Sequence, residues 1–459
     1  MARRSADILF IINVTFIVTI FCLGLRPGAF LPDPDKLTIS NYHNQAVSFL
    51  GQVCREADVS LFNRRLTICA GSSRILVTTS LYPVYDYGDW LEVKGLVQNP
   101  PVMEDFDYEA YLARYDIYSV MYYPNLSRVE GKLSGFQRLY SYLLFCKQNI
   151  KKLIAKYLPE PEAGLASAIL LGYRRSVIRE DLDIFARSGL SHLIAISGAH
   201  IAILSALLVN LLLAVGLKRR QAVFSTIIFL CLYPVLTGLS ASAVRSSIMG
   251  GLALIASLVG RPSSIIRAVV LVATLMLVFN PRLLRNDVGF QMSFLSLLGL
   301  IYIHPQFLSW FNKKLGGLSI VSLFLNGVSL TLSAQLAILP ISLANFKQLS
   351  LISPVANILV VWAFAPLLVC LVMAIVASSI FPVGGLWWFF PAHLLLKFIF
   401  FIAQFLATPT WAAKEISGFG WLEGIIYYSV LILWLLRRRL TSIFFLRQTK
   451  NPPIRKGFS

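Results

Sequence analysis

From about residue 190 to residue 437 the chain is a succession of apolar runs, each near the length that crosses about 30 Å of hydrocarbon. They lie at 191–216, 222–240, 243–260, 265–280, 288–304, 318–342, 351–380, 386–407 and 421–437. With 57% hydrophobic and 14% charged residues and a mean hydropathy of +0.70, no water-soluble core could hold this much apolar surface. The pattern predicts a polytopic α-helical membrane protein. An earlier run at 8–25 behind Arg3 and Arg4 reads as a signal anchor, since no small-x-small cleavage site precedes Arg26–Pro27. Counting it gives about ten crossings, with 163–172 and 188–200 as candidate re-entrant segments.

A net charge of +19 invites a nucleic-acid reading, but orientation explains most of it. Residues 161–459 carry 24 Lys/Arg against 7 Asp/Glu, concentrated in short loops and the C-terminal tail. Lys218–Arg220, Arg261 to Arg267, Lys313–Lys314 and Arg437–Arg439 all fall on one side of the expected topology. Both termini are therefore expected in the cytoplasm, with the segment after the first run outside.

That segment, residues 31–130, is the one clear β-rich part. Val47–Cys54, Arg65–Ala70, Arg74–Ser80, Asp89–Val97 and Ile117–Tyr122 read as strands, with a helical patch at Tyr108–Arg114. Five short strands and one helix suit a small OB-like barrel. Its 8 Lys/Arg against 13 Asp/Glu make it a poor clamp for phosphates, so Tyr82, Tyr85, Tyr87 and Trp90 read first as barrel packing. Cys54 and Cys69 share this stretch and could pair in an oxidising compartment.

Residues 131–160 reverse the charge. Lys132, Arg138, Lys147, Lys151, Lys152 and Lys156 occur between 131 and 157 without one acid. Leu139, Tyr142, Leu143, Cys146, Ile150, Leu153, Ile154 and Tyr157 recur at helical spacing over an arc of about 120°. This predicts a basic amphipathic helix lying on the membrane surface, with Arg138, Lys147, Lys151, Lys152 and Lys156 toward anionic headgroups.

Within the apolar half, three polar groups stand out. Ser197–Gly198 is a candidate helix break, the kind that exposes backbone to a cavity, and His192 and His200 flank it. The two histidines lack a third donor, so no metal centre is expected; interhelical hydrogen bonding and a wet pathway are the readings left open. Arg245 sits far from any loop among Ser240, Ser242, Ser246 and Ser247, a position that is costly unless paired or hydrated. Asp287 is a candidate counter-ion and Gln291 a candidate polar partner. A buried Arg245–Asp287 pair and a guanidinium that meets passing phosphates are both consistent with the residues. Ser329, Ser333 and Gln335 form a weaker third stripe. No P-loop occurs, so the chain is not expected to hydrolyse nucleotide.

Several ordered blocks resemble the ComEC family of competence proteins. They are Asp105–Tyr118, Leu190–Ser–His–Leu–Ile–Ala–Ile–Ser–Gly–Ala–His200, Thr237–Arg245, Val288–Phe294 and Gln335–Pro340. Ala199 stands where family members usually carry a bulkier apolar residue. The resemblance implies an external OB-like domain at 31–130 after an anchor at 1–30, a channel domain at 161–440 and a basic cytoplasmic tail at 441–459. It implies a multi-pass protein of the bacterial cytoplasmic (inner) membrane that carries single-stranded DNA inward during natural transformation. It also implies a periplasmic or extracellular DNA receptor and a cytoplasmic motor or DNA-binding protein as partners, beside membrane lipids. On this reading the DNA pathway comprises His192, Ser197, His200, Arg245 and Gln291, with no cofactor and no enzymatic activity. Many family members continue into a metallo-β-lactamase-like domain, whose histidine–aspartate motif is absent from this sequence. A small polar-solute permease and a membrane scaffold whose OB-like domain binds a protein are the competing readings.

Overall fold

The computed structural model describes residues 2–24, 39–60, 62–102, 107–260, 264–315, 319–416 and 418–450. The orientation markers Arg3 and Arg4 have no described side chains. The linker at 25–38, Arg261, the Asp105 end of the first family block and the last nine residues of the expected tail lie outside this set. The chain divides into two compact units: residues 1–186, 190–291 and 359–405, and residues 187–189, 292–358 and 406–459.

The first unit carries the β domain. Strands β1 (Ala46–Val53), β2 (Asp58–Val59), β3 (Arg64–Ala70), β4 (Ser73–Thr79), β5 (Trp90–Leu96), β6 (Ile117–Tyr122) and β7 (Asn125–Val129) form one sheet. Its order is β6-β4-β3-β1-β5-β7, with β2 paired to β3. All pairs are antiparallel except β4–β6. Alternate residues turn inward: Leu66 and Ile68 from β3, Ile75 and Val77 from β4, Leu91 and Val93 from β5 are fully buried with Met121. β1 changes partner at its end, running along β5 over Ala46–Gln52 and meeting β3 at Gln52 and Val53. Gly51 permits this crossing, because a methyl group there would collide with Ile68. Among the described residues pairing does not close a barrel; a single isolated bridge joins Gln98 to Val120. The observed domain is thus an open sheet among the described residues, where the sequence led to an OB-like barrel. Cys54 and Cys69 are joined by a disulfide beside the β1–β3 contact.

The expected basic helix runs from Gly135 to Tyr157 and opens on a capping box, in which Ser134 and Gln137 exchange side-chain-to-backbone bonds. Its inward side differs from the apolar arc of the sequence: Leu144, Lys147 and Ile154 are buried, whereas Phe136, Leu139, Tyr142 and Phe145 are exposed. The reason is electrostatic as well as apolar. Lys147 Nζ donates to Glu56 Oε2 at 2.7 Å, so this lysine turns to the β domain while Arg138, Lys152 and Lys156 stay exposed and Lys151 is half-buried.

Among the described residues six helices are long and apolar enough to cross a membrane: Arg219–Leu236, Ala241–Val259, Val288–Phe311, Phe324–Phe346, Ser353–Ile380 and Pro382–Ala407. Of the other expected crossings, those at 8–25, 191–216 and 265–280 are the shorter apolar helices Phe10–Leu23, Gly198–Ala214 and Ile265–Phe279. The one at 421–437 begins the helix Trp421–Lys450. A further short apolar helix, Glu162–Leu171, occupies one of the expected re-entrant segments.

In the second unit, the helix Ser319–Phe346 turns back along the preceding one. Gly299 packs against Ser333 so closely that a side chain would not fit, and His304 Nε2 meets Asn326 Oδ1 at 2.9 Å. Ser329 and Ser333 are fully buried and bonded to His304 O and Ser329 O. Gln335 donates to Ser350 O at 3.0 Å, next to the short pair β8 (Gln348–Ser350) and β9 (Ala413–Glu415). The third polar stripe thus serves internal bonding.

Candidate functional site

Three interruptions of helical backbone meet inside the first unit. Gly172 ends the helix Glu162–Leu171 in the left-handed region (φ 79°). A methyl group on it would lie 3.1 Å from both Ile196 Cδ1 and Thr237 O. Ile196 belongs to the second interruption, Ala195–Ser197, between the short helix Ser191–Ile194 and the helix Gly198–Ala214. Thr237 opens the third, where Gly238 and Leu239 both have positive φ before Ser240 caps the helix Ala241–Val259. Tyr233 OH ties the third to the first by donating to Leu170 O at 3.0 Å. Broken backbone inside an apolar bundle persists only where it is buried in protein or lines a polar space.

The break expected at Ser197–Gly198 is therefore real. Ser197 is the N-cap in extended conformation, and its N–H donates to His200 Nδ1 at 3.0 Å, with Ser197 Oγ also 3.0 Å from that nitrogen. A backbone N–H can only donate, so Nδ1 accepts and the proton of the neutral ring is assigned to Nε2. His200 is fully buried, its ring edge-on to Phe364 at 4.8 Å, and Nε2 has no hydrogen-bond partner. His192, one short helix earlier, is exposed.

Facing the break is the start of the helix Ala241–Val259. A methyl group on Gly198 would stand 3.3 Å from Ser246 Oγ and 3.8 Å from Arg245 Nη2. Arg245, Ser246 and Ser247 are all buried, and one guanidinium nitrogen of Arg245 reaches Met249 Sδ at 3.6 Å. The hydroxyls of Ser246 and Ser247 have no partner among the described residues. Of the residues singled out in the sequence, Ser197, Gly198, His200, Arg245 and Ser246 thus gather, with Ser247 buried next to Ser246.

Asp287 and Gln291 are used elsewhere. Asp287 accepts from Arg114 Nη1 at 2.8 Å and from the N–H of Phe290 at 2.9 Å. It is the counter-ion of Arg114, which lies under Tyr111 and Tyr115 at 4.1 and 4.4 Å, and not the partner expected for Arg245. The physical reason is proximity: residues 280–287 seat against the helix Tyr108–Ala113, with Arg282 bonded to Ala113 O and Asp116 and Asn286 to Ala110 O. Gln291 donates to Leu284 O and Arg285 O, closing the end of the short helix before it.

A second polar group joins the β domain to the helices. Glu56 accepts from Lys147 Nζ and from Tyr173 OH, and Lys147 and Lys151 lie over the Tyr173 ring at 4.1 and 4.5 Å. Burial lowers the Lys147 pKa against the opposing pull of Glu56. Burial first, and the Glu56 carboxylate second, push the Tyr173 phenol far up. Among the described residues no group of three or more His, Cys, Asp or Glu could hold a metal ion.

Comparison with known proteins places these features. The profile of the competence protein family matches residues 169–441, more than half of the chain and the whole of the broken-helix site. ComE operon protein 3 of Bacillus subtilis (strain 168) is 34% identical over 277 residues, covering 59% of this chain and 33% of that protein. The chain's match thus spans about a third of the relative's length. No solved structure matches the chain significantly. The break at Ser197–Gly198, the polar helix start at Arg245 and the matched region coincide: the chain belongs to the competence protein family.

Proposed function

We propose that this protein takes part in DNA uptake by forming the path along which single-stranded DNA crosses the bacterial cytoplasmic membrane. The observation that carries the reading is the break at Ser197–Gly198, a polar interruption of the apolar bundle lying within the family-matched region. On this reading the β domain faces outward and both termini face the cytoplasm. The helix Gly135–Tyr157 rests at the outer membrane surface on its exposed Phe136, Leu139, Tyr142 and Phe145, with Arg138, Lys152 and Lys156 toward lipid headgroups. His192, Ser197, His200 and Arg245 line one hydrated route; Gln291 and Asp287 brace the loop beside the β domain instead. An external DNA receptor delivers the strand and a cytoplasmic motor or binding protein draws it in, since the chain has no nucleotide-hydrolysing motif of its own.

The test is uptake of labelled DNA by cells of the source organism lacking this chain. They should bind DNA outside and fail to import it, and expression of the chain should restore import. Arg245→Ala should abolish import with the protein still in the membrane, and Arg245→Lys should recover part of it, since charge survives without the planar fork. Unimpaired import in the deletion strain sinks the reading.

A further inference from the structure

Hydroxyls in apolar helices ordinarily bond back to the carbonyl one turn earlier. Thr226, Thr237, Thr274, Ser333 and Ser379 all do so here, at 2.6 to 3.0 Å. Ser246 and Ser247 do not, although they are only 6% and 5% exposed. Leaving a buried hydroxyl unbonded is costly, so two adjacent ones mark a place held for a guest.

Charge says what kind of guest. Ser246 Oγ and an Arg245 Nη2 nitrogen both lie against Gly198, the first residue of a 17-residue helix whose opening N–H groups have no acceptor within the helix. The two serines and the arginine sit in the second turn of a second, 19-residue helix, so their side chains add to the positive end of the helix that opens at Gly198. A guanidinium, two hydroxyls and helix-opening amides form a donor set that repels cations and suits a compact oxyanion. Glycine at position 198 leaves the backbone amides uncovered, where a methyl group would crowd Ser246 Oγ at 3.3 Å.

We propose that Arg245, Ser246, Ser247 and the backbone N–H groups opening the helix at Gly198 form an oxyanion site that takes one phosphate group of a phosphodiester. The inference deepens the transport reading and rests on it only for the source of the phosphate. Such a site reads the charge of the backbone and neither base nor sugar. It grips a strand one phosphate at a time and lets go as the next arrives, as a conducting pathway requires.

The test uses the full chain in nanodiscs of uncharged phosphatidylcholine, with inorganic phosphate as probe and thermal stabilisation as readout. Phosphate should raise the melting temperature of the wild type. Ser246→Ala with Ser247→Ala, and separately Gly198→Ala, should weaken its apparent affinity about tenfold, the two-serine variant without loss of fold. Oligothymidylate should compete with phosphate and its uncharged methylphosphonate counterpart should not. Competition by phosphatidylglycerol in the disc without competition by oligothymidylate would keep the oxyanion site and assign it to a lipid headgroup. Phosphate stabilisation unchanged in both variants overturns the site, whatever happens to DNA import. Phosphate binding lost in the variants while cells carrying them import DNA normally keeps the site and overturns the transport reading.

Discussion

The two polar regions of the first unit are built on opposite principles. Where the β domain meets the helices, buried charge is matched by charge: Lys147 with Glu56, Arg114 with Asp287, Arg282 with Asp116. At the broken helices the buried Nε2 of His200 and the hydroxyls of Ser246 and Ser247 have no partner among the described residues. A matched set holds two parts of a molecule together and resists substitution of either member. An unmatched set of donors weakens the fold slightly and is kept for what it can bind. Stability and function should therefore separate cleanly between the regions.

The sharpest way to break this contrast is Lys147→Met or Glu56→Ala. Each leaves a largely desolvated partner without its counter-charge and should cost about 3–5 kcal/mol, read as a fall in melting temperature of the purified protein. Lys147→Met combined with Glu56→Gln should return most of it. Additive losses would mean the pair is not coupled.

Arg114→Ala should cost about 3 kcal/mol, since it strands Asp287 and removes the stacking on Tyr111 and Tyr115. Asp287→Asn should cost less, because the amide oxygen still accepts. Protease sensitivity appearing first within residues 107–116 would tie the loss to this seat.

Tyr173→Phe should be milder, about 1 kcal/mol, and should show itself in pH dependence. The Tyr173 phenol is raised above its ordinary value of 10, so the folded state holds the proton more tightly than the unfolded. Its contribution is complete below pH 10 and is lost as pH rises beyond, while Lys147, lowered by burial, acts in the opposite sense. The difference between wild type and Tyr173→Phe isolates the phenol: a stability gap that narrows above pH 10 is expected, and a gap independent of pH removes Tyr173 from the Glu56 group.

The smallest effect belongs to the other region. Ser246→Ala and Ser247→Ala remove hydroxyls that have no bond to lose, so stability should hold or rise by up to about 1 kcal/mol while DNA import falls. Destabilisation by 2 kcal/mol or more would place these serines with the matched set.

What the sequence revealed followed from local pattern. The five strands with inward alternation, the helix Tyr108–Ala113 and the break at Ser197–Gly198 were all legible within a residue or two. β7 was not: its residues Asn125–Val129 are mostly exposed, so an edge strand left no alternation to read. That the expected OB-like barrel stays open was not legible either, because closure depends on whether the edge strands β6 and β7 meet, which no local pattern records. Within the site, Arg245 and its serines were visible as polar residues in an apolar run. The allegiance of Asp287 was not, since its partner Arg114 lies 173 positions away and in another kind of structure. Lys147 looked like its neighbours on the basic helix until Glu56 distinguished it.

The burial of Lys147 has a consequence for how the molecule is put together. Glu56 follows β1 closely, and the disulfide between Cys54 and Cys69 pins the strand end from which it projects. Until that end is formed, the basic helix has no anion to meet, and seating it would strand an ammonium group in an apolar setting. Seating of the helix is therefore energetically coupled to the shape of that strand end. Tyr173, bonded to the same carboxylate, stands beside Gly172, which packs on Ile196 and Thr237. The Glu56 carboxylate thus links the pinned strand end of the β domain, through Tyr173 and its neighbour Gly172, to the polar break.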